Sequence, residues 1–200
     1  MHTGTGRSGS VSLRPHTEAD LVLDRQEFTG PEGWGEHEWF GYSDPDWLRK
    51  KFGATGLLDE SVGRLVIESN GEWAGRVTWW NVFHGTDKSA AWRLAVIVRT
   101  SLRGRGIGSD AHVALVDYLF AHTRAERLEA FTDAENGAEQ RVLDKAGFAY
   151  EGTVRTYMWS QGRWRDPRLY SILRSDMGTS PGSGSAGACT AAGPPPARRT

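Results

Sequence analysis

The stretch "VIVRTSLRGRGIGSDAHVALVDYLF", Val96–Phe120, joins an apolar β-branched run to a helical pattern through a loop of glycines and arginines. The run predicts a strand, and apolar residues recur at helical spacing from Ile107 onward. A helix that begins here leaves its first N–H groups unpaired, with the positive end of its dipole behind them. Gly104, Gly106 and Gly108 allow an anion to approach these groups closely. The stretch therefore predicts a phosphate or pyrophosphate site.

Three kinds of anion site compete for this loop. A P-loop ends in Gly-Lys-Ser/Thr, and this loop has no lysine. A dinucleotide fingerprint is G-x-G-x-x-G in an early βαβ unit, whereas G-x-G-x-G lies mid-chain here, although Asp133 is suitably spaced for a ribose ligand. The third match is the string RGRGIG, residues 103–108. It resembles the (Gln/Arg)-x-x-Gly-x-(Gly/Ala) signature of the GNAT superfamily of N-acetyltransferases, whose loop binds the pyrophosphate of acetyl-coenzyme A.

Three further segments extend this resemblance. "NGAEQRVLDKAGF" (136–148) is similar to the segment that follows the fifth strand in the superfamily. "EGTVRTYMWSQGRWRDPRLYSILRSD" (151–176) and "VSLRPHTEADL" (11–21) resemble the ending and the opening of the RimJ/RimL-type branch. The resemblance spans about residues 11–177 and implies an acetyl-CoA-dependent N-acetyltransferase, an acyltransferase that uses no metal.

Local signals give the order of the elements. A strand and two helices precede three antiparallel strands, and then come a helix, a strand, a helix and two final strands. The first of the two final strands is expected over Phe148–Trp159. Thr17 and Asp20 have capping-box spacing, and Asn70-Gly71 is a strong hairpin signal. The pattern predicts an α/β protein, and the resemblance implies the GNAT fold. That fold is a mixed, mostly antiparallel twisted sheet of about six to seven strands, flanked by about four helices and splayed between the fourth and fifth strands.

Composition separates the ends of the chain from its middle. Residues 1–10 and the Gly/Ser/Ala/Pro-rich residues 178–200 have little to bury, so both are expected to be disordered around a domain of residues 11–177. The one cysteine, Cys189, lies in this tail and excludes internal disulfides. With 24 basic and 25 acidic residues the net charge is −1, which disfavours nucleic-acid binding. No apolar run reaches membrane-span length, and a cytoplasmic protein is expected.

The resemblance also assigns roles in cofactor binding. Backbone groups of Val96–Val98 would face pantetheine, and the Val96 N–H would donate to the oxyanion. Arg103 and Arg105 would add charge beside the pyrophosphate, and Asn136 would lie near the thioester. The residues assigned to acetyl-CoA are Val96, Ile97, Val98, Arg103, Gly104, Arg105, Gly106, Ile107, Gly108, Ser109 and Asn136.

The residues that would move protons match the superfamily less well. Where many members have a tyrosine acid this chain has Leu143, and where ribosomal-protein-type members have a serine it has Glu139. Met158 stands where those members can carry a glutamate base. Glu139 is thus a candidate catalytic residue, although a carboxylate near a helix start also fits a surface charge that stabilises the helix dipole.

The acceptor is expected to be a primary amine, either a small or aminoacyl-type molecule or a protein N-terminus. Trp34 and Trp39 could stack on a planar ring or belong to the core. His84 could border the acceptor pocket or lie on the surface. Polyamine-acetylating relatives have a glutamate where this chain has Arg93, and a cation facing the pocket would repel a polyamine.

Two other function classes stay open at this point. The apolar residues at two expected acid or base positions would also suit a weakly catalytic or non-catalytic acyl-CoA-binding regulatory module. A dinucleotide enzyme is the more distant alternative. Relatives in the superfamily are often dimers, so a homodimer is compatible with the resemblance.

Overall fold

The computed structural model describes residues 11–44, 46–85 and 90–178. The predicted segments 1–10 and 178–200, apart from Gly178, lie outside these residues, as does Cys189. The helices are α1 (Glu18–Phe28), α2 (Pro31–Trp34), α3 (Trp47–Thr55), α4 (Ile107–His122) and α5 (Gly137–Lys145). The strands are β1 (Val11–Arg14), β2 (Val62–Ser69), β3 (Glu72–Phe83), β4 (Ala90–Val98), β5 (Arg127–Thr132), β6 (Ala149–Thr153), β7 (Met158–Ser160), β8 (Arg163–Arg165) and β9 (Arg168–Leu173).

Seven strands form one mixed sheet in the order β1-β2-β3-β4-β5-β9-β6. Every neighbouring pair is antiparallel except β4 and β5, which run parallel. A connection between parallel strands needs a crossover, and α4 provides it. The predicted mixed, mostly antiparallel sheet is confirmed. The remaining strands, β7 and β8, form a separate hairpin.

Short-range signals determine where several elements begin and end. The Thr17 N–H donates to the Asp20 carboxylate over 2.7 Å, as the predicted capping box requires, and α1 begins at the next residue. Asn70 and Gly71 both have positive φ, 54° and 78°, which suits the tight turn between β2 and β3.

The chain differs from the sequence prediction after α5. The continuous strand expected over Phe148–Trp159 is broken into β6 and β7. Thr156 has a φ of 53°, in the left-handed region, which interrupts an extended strand. Gln161 and Gly162 have φ of 52° and 74°, so the chain turns back at once to form the β7–β8 hairpin. A further difference is the single helical turn α2, which the predicted order of two helices before the antiparallel strands does not include.

The two faces of the sheet carry different cores. A large cluster joins the sheet to α4 and α5 and includes Leu65, Ile67, Leu115 and Leu143. Val66 alternates with its neighbours in β2 and therefore points to the opposite face. There it packs with Phe28 of α1 and Trp73 in a smaller cluster.

That second face also buries a charge pair. Arg76 of β3 and Asp24 of α1 are almost fully buried, with Nη1 and Oδ1 2.5 Å apart. The Arg76 guanidinium lies over the rings of Phe28 and Trp34, at 4.2 and 4.9 Å. This pair thus attaches α1 and α2 to the sheet. No helix of the described part of the chain has the length and hydropathy needed to cross a bilayer.

Candidate active site

Strands β4 and β5 separate soon after they meet. Their parallel ladder consists of the pairs Trp92↔Leu128 and Arg93↔Glu129. From there β4 stays paired with β3 up to Gly75↔Val98, while β5 continues against β9. The edge of β4 that faces β5 is therefore open beyond Arg93, as the predicted splay between the fourth and fifth strands requires.

Two hydrogen bonds show which backbone groups of β4 point into this opening. The Arg99 N–H donates to the Ala74 carbonyl over 2.8 Å, beside the pair Gly75↔Val98. In an antiparallel ladder the bonded pairs alternate, so Val98 and Val96 direct their backbone groups away from β3. The Asn81 N–H donates to the Ser61 carbonyl over 2.9 Å, on the side of β3 that faces away from β4. This hydrogen bond agrees with the same alternation along β3 and β4.

Three adjacent residues of β4, Val96, Ile97 and Val98, were assigned to the cofactor. The alternation places their backbone groups on different sides of the strand. Leu94 lies at the end of the ladder, so Val96 offers the first backbone N–H that is clear of β5. Ile97 is a correction to the sequence assignment, because its backbone groups face Arg76 on β3. Its side chain packs against the cluster around Phe28. Val96 and Val98 are thus the residues whose backbone lines the opening.

The glycine loop lies beyond the end of β4. Gly104 and Gly106 have φ of 76° and 84°, a conformation that favours glycine. Gly106 directly precedes α4, and its carbonyl accepts the Asp110 N–H over 3.1 Å. Gly106 is the N-cap residue, so the helix has no side-chain cap from this position. The N–H groups of the first turn, at Ile107, Gly108 and Ser109, are the ones that an α-helix leaves without helical partners.

Gly108 has no backbone requirement for glycine. Its φ is not in the left-handed region, and an added Cβ would meet no atom closer than Val98 Cγ2, at 3.8 Å. The fold would therefore accept a small side chain at this position. The absence of a side chain there suits close approach by a ligand.

The arginines of the loop bind backbone carbonyls. Arg103 Nε donates to the Val98 carbonyl over 2.9 Å, and its Nη2 donates to the carbonyl of Gly33. Arg105 Nη2 donates to the Ser101 carbonyl over 3.2 Å. Arg103 thus connects the end of β4 to the segment that follows α1, a contact that the sequence did not indicate.

The start of α5 contacts the start of α4. The Asn136 side chain accepts the Glu139 N–H over 3.1 Å and caps α5, which leaves its amide NH₂ as a donor. Glu139 Oε1 lies 3.2 Å from Nε2 of His112, whose other ring nitrogen is 2.9 Å from the Gly108 carbonyl. His112 is fully buried. Glu139 is therefore connected to the glycine loop through one imidazole.

A further carboxylate, Glu38, belongs to the loop of residues 35–44 between α2 and α3. Burial, together with the negative charges of Glu139 and Asp133 and against the positive charge of Arg103, raises the pKa of Glu38 to about 7. Its neighbour His37 has Nδ1 3.9 Å from Asp133 Oδ1, just after β5. The sequence analysis did not identify Glu38, because no local pattern marks a half-buried carboxylate in a loop.

A polar cluster lies at the point where β4 and β5 separate. Its centre is Glu129, whose side chain is 1% exposed. Three groups surround this carboxylate: His84 Nε2 at 2.8 Å, Arg93 Nη2 at 3.1 Å and Arg127 Nε at 2.8 Å. Burial alone would raise the pKa of Glu129, but the hydrogen bonds from Arg127 and Arg93 outweigh it and lower the pKa. We call these four residues the Glu129 cluster.

The Glu129 cluster changes the interpretation of Arg93. The guanidinium donates to the Tyr157 hydroxyl over 2.7 Å and lies 4.4 Å above the ring of Phe131, which stacks on Tyr157. Arg93 is thus held by Glu129 and Tyr157, and the expected repulsion of a polyamine stays a prediction. His84 and Arg93, predicted separately, are brought together here, and Glu129 and Tyr157 were missed.

The two predicted aromatic residues lie elsewhere. Trp34 and Trp39 line a cavity of about 1170 Å³ between α1 and α3, with Arg64 and Arg76 also in its lining. Trp34 Nε1 donates to the Phe28 carbonyl over 2.7 Å. Trp34 is therefore partly a structural residue, as the alternative interpretation had it.

Apolar residues occupy the two positions where relatives can carry a catalytic acid or base. Leu143 is fully buried in the main core, and Met158 begins β7. Among the described residues, no group of three or more His, Cys, Asp or Glu side chains is arranged to hold a metal ion.

Comparisons with known proteins agree with this geometry. The profile of the acetyltransferase (GNAT) domain matches residues 10–149. The probable N-acetyltransferase YjcK of Bacillus subtilis is 31% identical over 121 residues, which cover 60% of this chain and 61% of YjcK. The spermidine N(1)-acetyltransferase of Escherichia coli K12 is 27% identical over 160 residues, 78% of this chain and 82% of that protein.

Among solved structures, Mycobacterium smegmatis RimJ in complex with CoA-disulfide superimposes with a TM-score of 0.71. The identity is 26%, and the match covers 86% of each chain. This likeness agrees with the RimJ/RimL-type features of the sequence. The open edge of β4, the glycine loop before α4 and the family profile lead to one conclusion: the chain belongs to the GNAT acetyltransferase family.

Proposed function

We propose that this protein transfers the acetyl group of acetyl-CoA directly to a primary amine, with both substrates bound together. One observation carries the proposal: the open backbone edge of β4 leads to a glycine loop at the start of α4. Pantetheine would lie along that edge, and its pyrophosphate would meet the first-turn N–H groups of α4. In the RimJ structure the neighbour is bound to CoA-disulfide, which supports a CoA ligand for the equivalent fold here.

The residues divide the chemistry between them. The Val96 N–H would donate to the oxygen of the thioester carbonyl as it becomes an oxyanion. Asn136, through its free amide donor, and Glu139 would lie near the sulfur that leaves. Holding an amine beside a thioester can lower the barrier by roughly 7–11 kcal/mol at best, so positioning supplies much of the rate.

For the acceptor we favour a small or aminoacyl-type amine over a protein N-terminus. The stacked rings of Phe131 and Tyr157 beside Arg93 offer a flat surface for a compact molecule. The carboxylates Glu38, Asp133 and Glu139 would attract an ammonium group. Because Glu129 neutralises Arg93, polyamines such as the spermidine used by the Escherichia coli relative remain within this class.

A steady-state thiol-release assay tests the proposal. The panel contains spermidine, kanamycin, amino-acid amides and short peptides with a free N-terminus. We expect turnover with at least one small amine, at a kcat/KM at least about tenfold above that of the peptides. Tight acetyl-CoA binding without turnover on any amine would indicate the acyl-CoA-binding regulatory module instead. Binding of NADH in place of acetyl-CoA would support the dinucleotide alternative.

A further inference from the structure

The cavity between α1 and α3 has no part in the acetyl transfer proposed above. Its volume of about 1170 Å³ is ample for a small organic molecule, since ligand pockets typically measure roughly 300–1,000 Å³. The lining residues that the structure describes come from α1, α2, α3 and the segments between them, and from β2 and β3. None of these lining residues belongs to β4 or β5. The cavity therefore lies over a different part of the sheet from the opening.

Aromatic residues form much of the cavity wall. Trp39 and Tyr42 meet edge to face, with ring centroids 5.1 Å apart. Helix α3 contributes Trp47 and Leu48 to the lining, although none of its residues is buried. The aromatic residues of the lining are Phe28, Trp34, Trp39, Tyr42, Trp47 and Phe52. Such a wall offers flat apolar surface to a planar ligand.

Arg64 of β2 brings a positive charge to the sheet side of this cavity. Arg64 and Val66 are two residues apart in the strand, so their side chains share the face on which Phe28 of α1 packs. The Arg64 guanidinium lies 5.5 Å from the centroid of the Trp47 ring. Within the described part of the chain, no carboxylate or carbonyl forms an ion pair or hydrogen bond with Arg64. Its charge is therefore available to a ligand.

The lack of a carboxylate distinguishes Arg64 from other arginines with little exposure. Arg93 has Glu129 at 3.1 Å, and Arg165 has Asp133 at 3.3 Å. Unpaired charges of this kind are uncommon in protein interiors, because removing a charge from water is costly. Arg64 is thus better explained by a function than by a contribution to stability.

The groups around Arg64 leave one positive charge without a counter-ion. Burial and the neighbouring charge of Arg76 lower the pKa of Arg64 to about 10, while Asp24 opposes them, so Arg64 is still a cation at neutral pH. Asp24 already forms an ion pair with Arg76. The buried Nε of Arg76 also has no hydrogen-bond partner among the described residues. Two guanidinium groups thus share one carboxylate on this side of the cavity.

The charge balance indicates which kind of anion fits. The planar fork of a guanidinium matches a carboxylate bidentately. One surplus positive charge is balanced by a monoanion, whereas a phosphate ester carries a charge of roughly −1.5 to −2 at neutral pH. The other charged residues of the lining compensate one another: Arg25 and Arg49 against Glu18 and Asp44.

We propose that the cavity between α1 and α3 binds an aromatic monocarboxylate, with its carboxylate on Arg64 and its ring against the aromatic wall. This site is separate from the opening between β4 and β5. Its ligand binds whether or not the protein transfers acetyl groups, so the proposal does not depend on the proposed function.

The test measures dissociation constants by ligand-observed NMR, which detects weak binding. The probes are indole-3-acetate, its neutral amide indole-3-acetamide, and 3-indolyl phosphate, which share one ring system. For the parent we expect indole-3-acetate to bind at least about tenfold more tightly than the amide or the phosphate. Equal affinity for the acid and the amide, or tighter binding of the phosphate, would overturn the proposal.

Three variants locate the ligand. Arg64→Met removes the charge and should reduce the preference for the acid over the amide to about threefold or less. Trp47→Ala removes part of the wall and should weaken the acid and the amide alike. Lys50→Gln is the matched control: it removes a positive charge from α3, but Lys50 pairs with Asp44 and does not line the cavity. This control should keep the full preference, and an Arg64→Met protein that also keeps it would contradict the assignment.

Melting temperature separates a binding role of Arg64 from a structural one. Arg64→Met should melt at the temperature of the parent or above it, because the substitution removes a charge that has no carboxylate partner. A marked fall in melting temperature would show that Arg64 supports the fold, and the proposal would lose its main basis.

A last measurement tests whether the site is separate from the opening. The affinity of the parent for indole-3-acetate should be the same within about twofold with and without saturating acetyl-CoA. Displacement of the probe by acetyl-CoA would place the probe in the opening and overturn the proposal. None of these measurements uses turnover, so a protein that acetylates no amine could still bind the aromatic carboxylate.

Discussion

The two sides of the opening are built in different ways. On the cofactor side, defined as the free edge of β4 and the glycine loop, the groups that face the opening are backbone N–H and carbonyl groups of one continuous segment. On the acceptor side, defined as the α2–α3 loop and the Glu129 cluster, the groups proposed to meet the acceptor are side chains. Glu38, His84, Glu129 and Tyr157 come from four separate parts of the chain.

This difference has a physical basis. A pyrophosphate and a pantetheine arm are the same in every member of the family, and backbone groups can bind them wherever the loop adopts the required φ and ψ. An acceptor differs from one enzyme to another, so its recognition depends on side chains that can change independently. The cofactor side is therefore a feature of the fold, whereas the acceptor side is a feature of this sequence.

The largest expected effect is a loss of stability when the buried charge pair beneath the acceptor side is broken. Asp24→Ala leaves Arg76 buried without its carboxylate, and we expect a loss of about 3–5 kcal/mol of unfolding free energy in urea denaturation. The double variant Asp24→Leu with Arg76→Met should recover much of this loss, since it removes both charges. A single variant as stable as the parent would show that Arg76 finds other solvation.

The next effect concerns pH. Burial raises the pKa of Glu38 from 4.5 to about 7, so the folded state holds this proton more tightly than the unfolded state. The resulting stabilisation is present below pH 4.5 and is lost as pH rises towards 7. Glu38→Gln lacks this loss, so relative to the parent it should gain about 1–3 kcal/mol between pH 4.5 and pH 8 in urea unfolding.

If the difference in unfolding free energy between Glu38→Gln and the parent stays constant with pH, this expectation is contradicted. A confirmed gain would show that the acceptor side contains a carboxylate whose burial lowers stability at neutral pH. Functional sites commonly carry such a cost.

The third prediction tests the cofactor side. Gly108→Val should raise the acetyl-CoA dissociation constant about tenfold or more, about 1.4 kcal/mol, because the side chain would occupy the space of the phosphates. The melting temperature should change little, since the Cβ would meet nothing closer than 3.8 Å. Calorimetry with desulfo-CoA and dephospho-CoA provides the control, because both keep the pyrophosphate and should show the same loss. Unchanged affinity would remove the glycine loop from the cofactor site.

The smallest effect lies outside both sides. Deletion of residues 179–200 should leave the melting temperature and the acetyl-CoA affinity nearly unchanged, because the composition offers little that could pack. Differential scanning fluorimetry and calorimetry on the shortened protein provide the check. A clear loss of either quantity would mean that this segment docks on the domain.

The parts that could be predicted from sequence are those with local causes. The capping box at Thr17, the turn at Asn70-Gly71 and the glycine loop each depend on a few adjacent residues. The order of strands and helices followed from periodicity, and the family resemblance supplied the splayed sheet. The break at Thr156 and the β7–β8 hairpin were missed, because Gln161-Gly162 is a weaker turn signal than Asn-Gly.

The acceptor side could be predicted only in part, since its contacts span the chain. His84 and Arg93 were identified as candidates, but their shared partner Glu129 is 45 and 36 residues away in sequence. Ile97 was assigned to the cofactor because the sequence shows the strand but not the phase of its hydrogen bonds. Glu38 acquires its properties from burial and from two distant carboxylates, which no local pattern reports.

Arg103 is held by both sides, through the carbonyls of Val98 and Gly33. A ligand that draws this guanidinium towards a phosphate changes the restraint on the segment that precedes Glu38. Thermodynamic linkage is reciprocal: if acetyl-CoA alters the affinity for the amine by some factor, the amine alters the affinity for acetyl-CoA by the same factor. If acetyl-CoA and the amine bind as proposed, Arg103 would connect the two sites physically, and we expect Arg103→Ala to reduce the factor by which each substrate alters the affinity for the other.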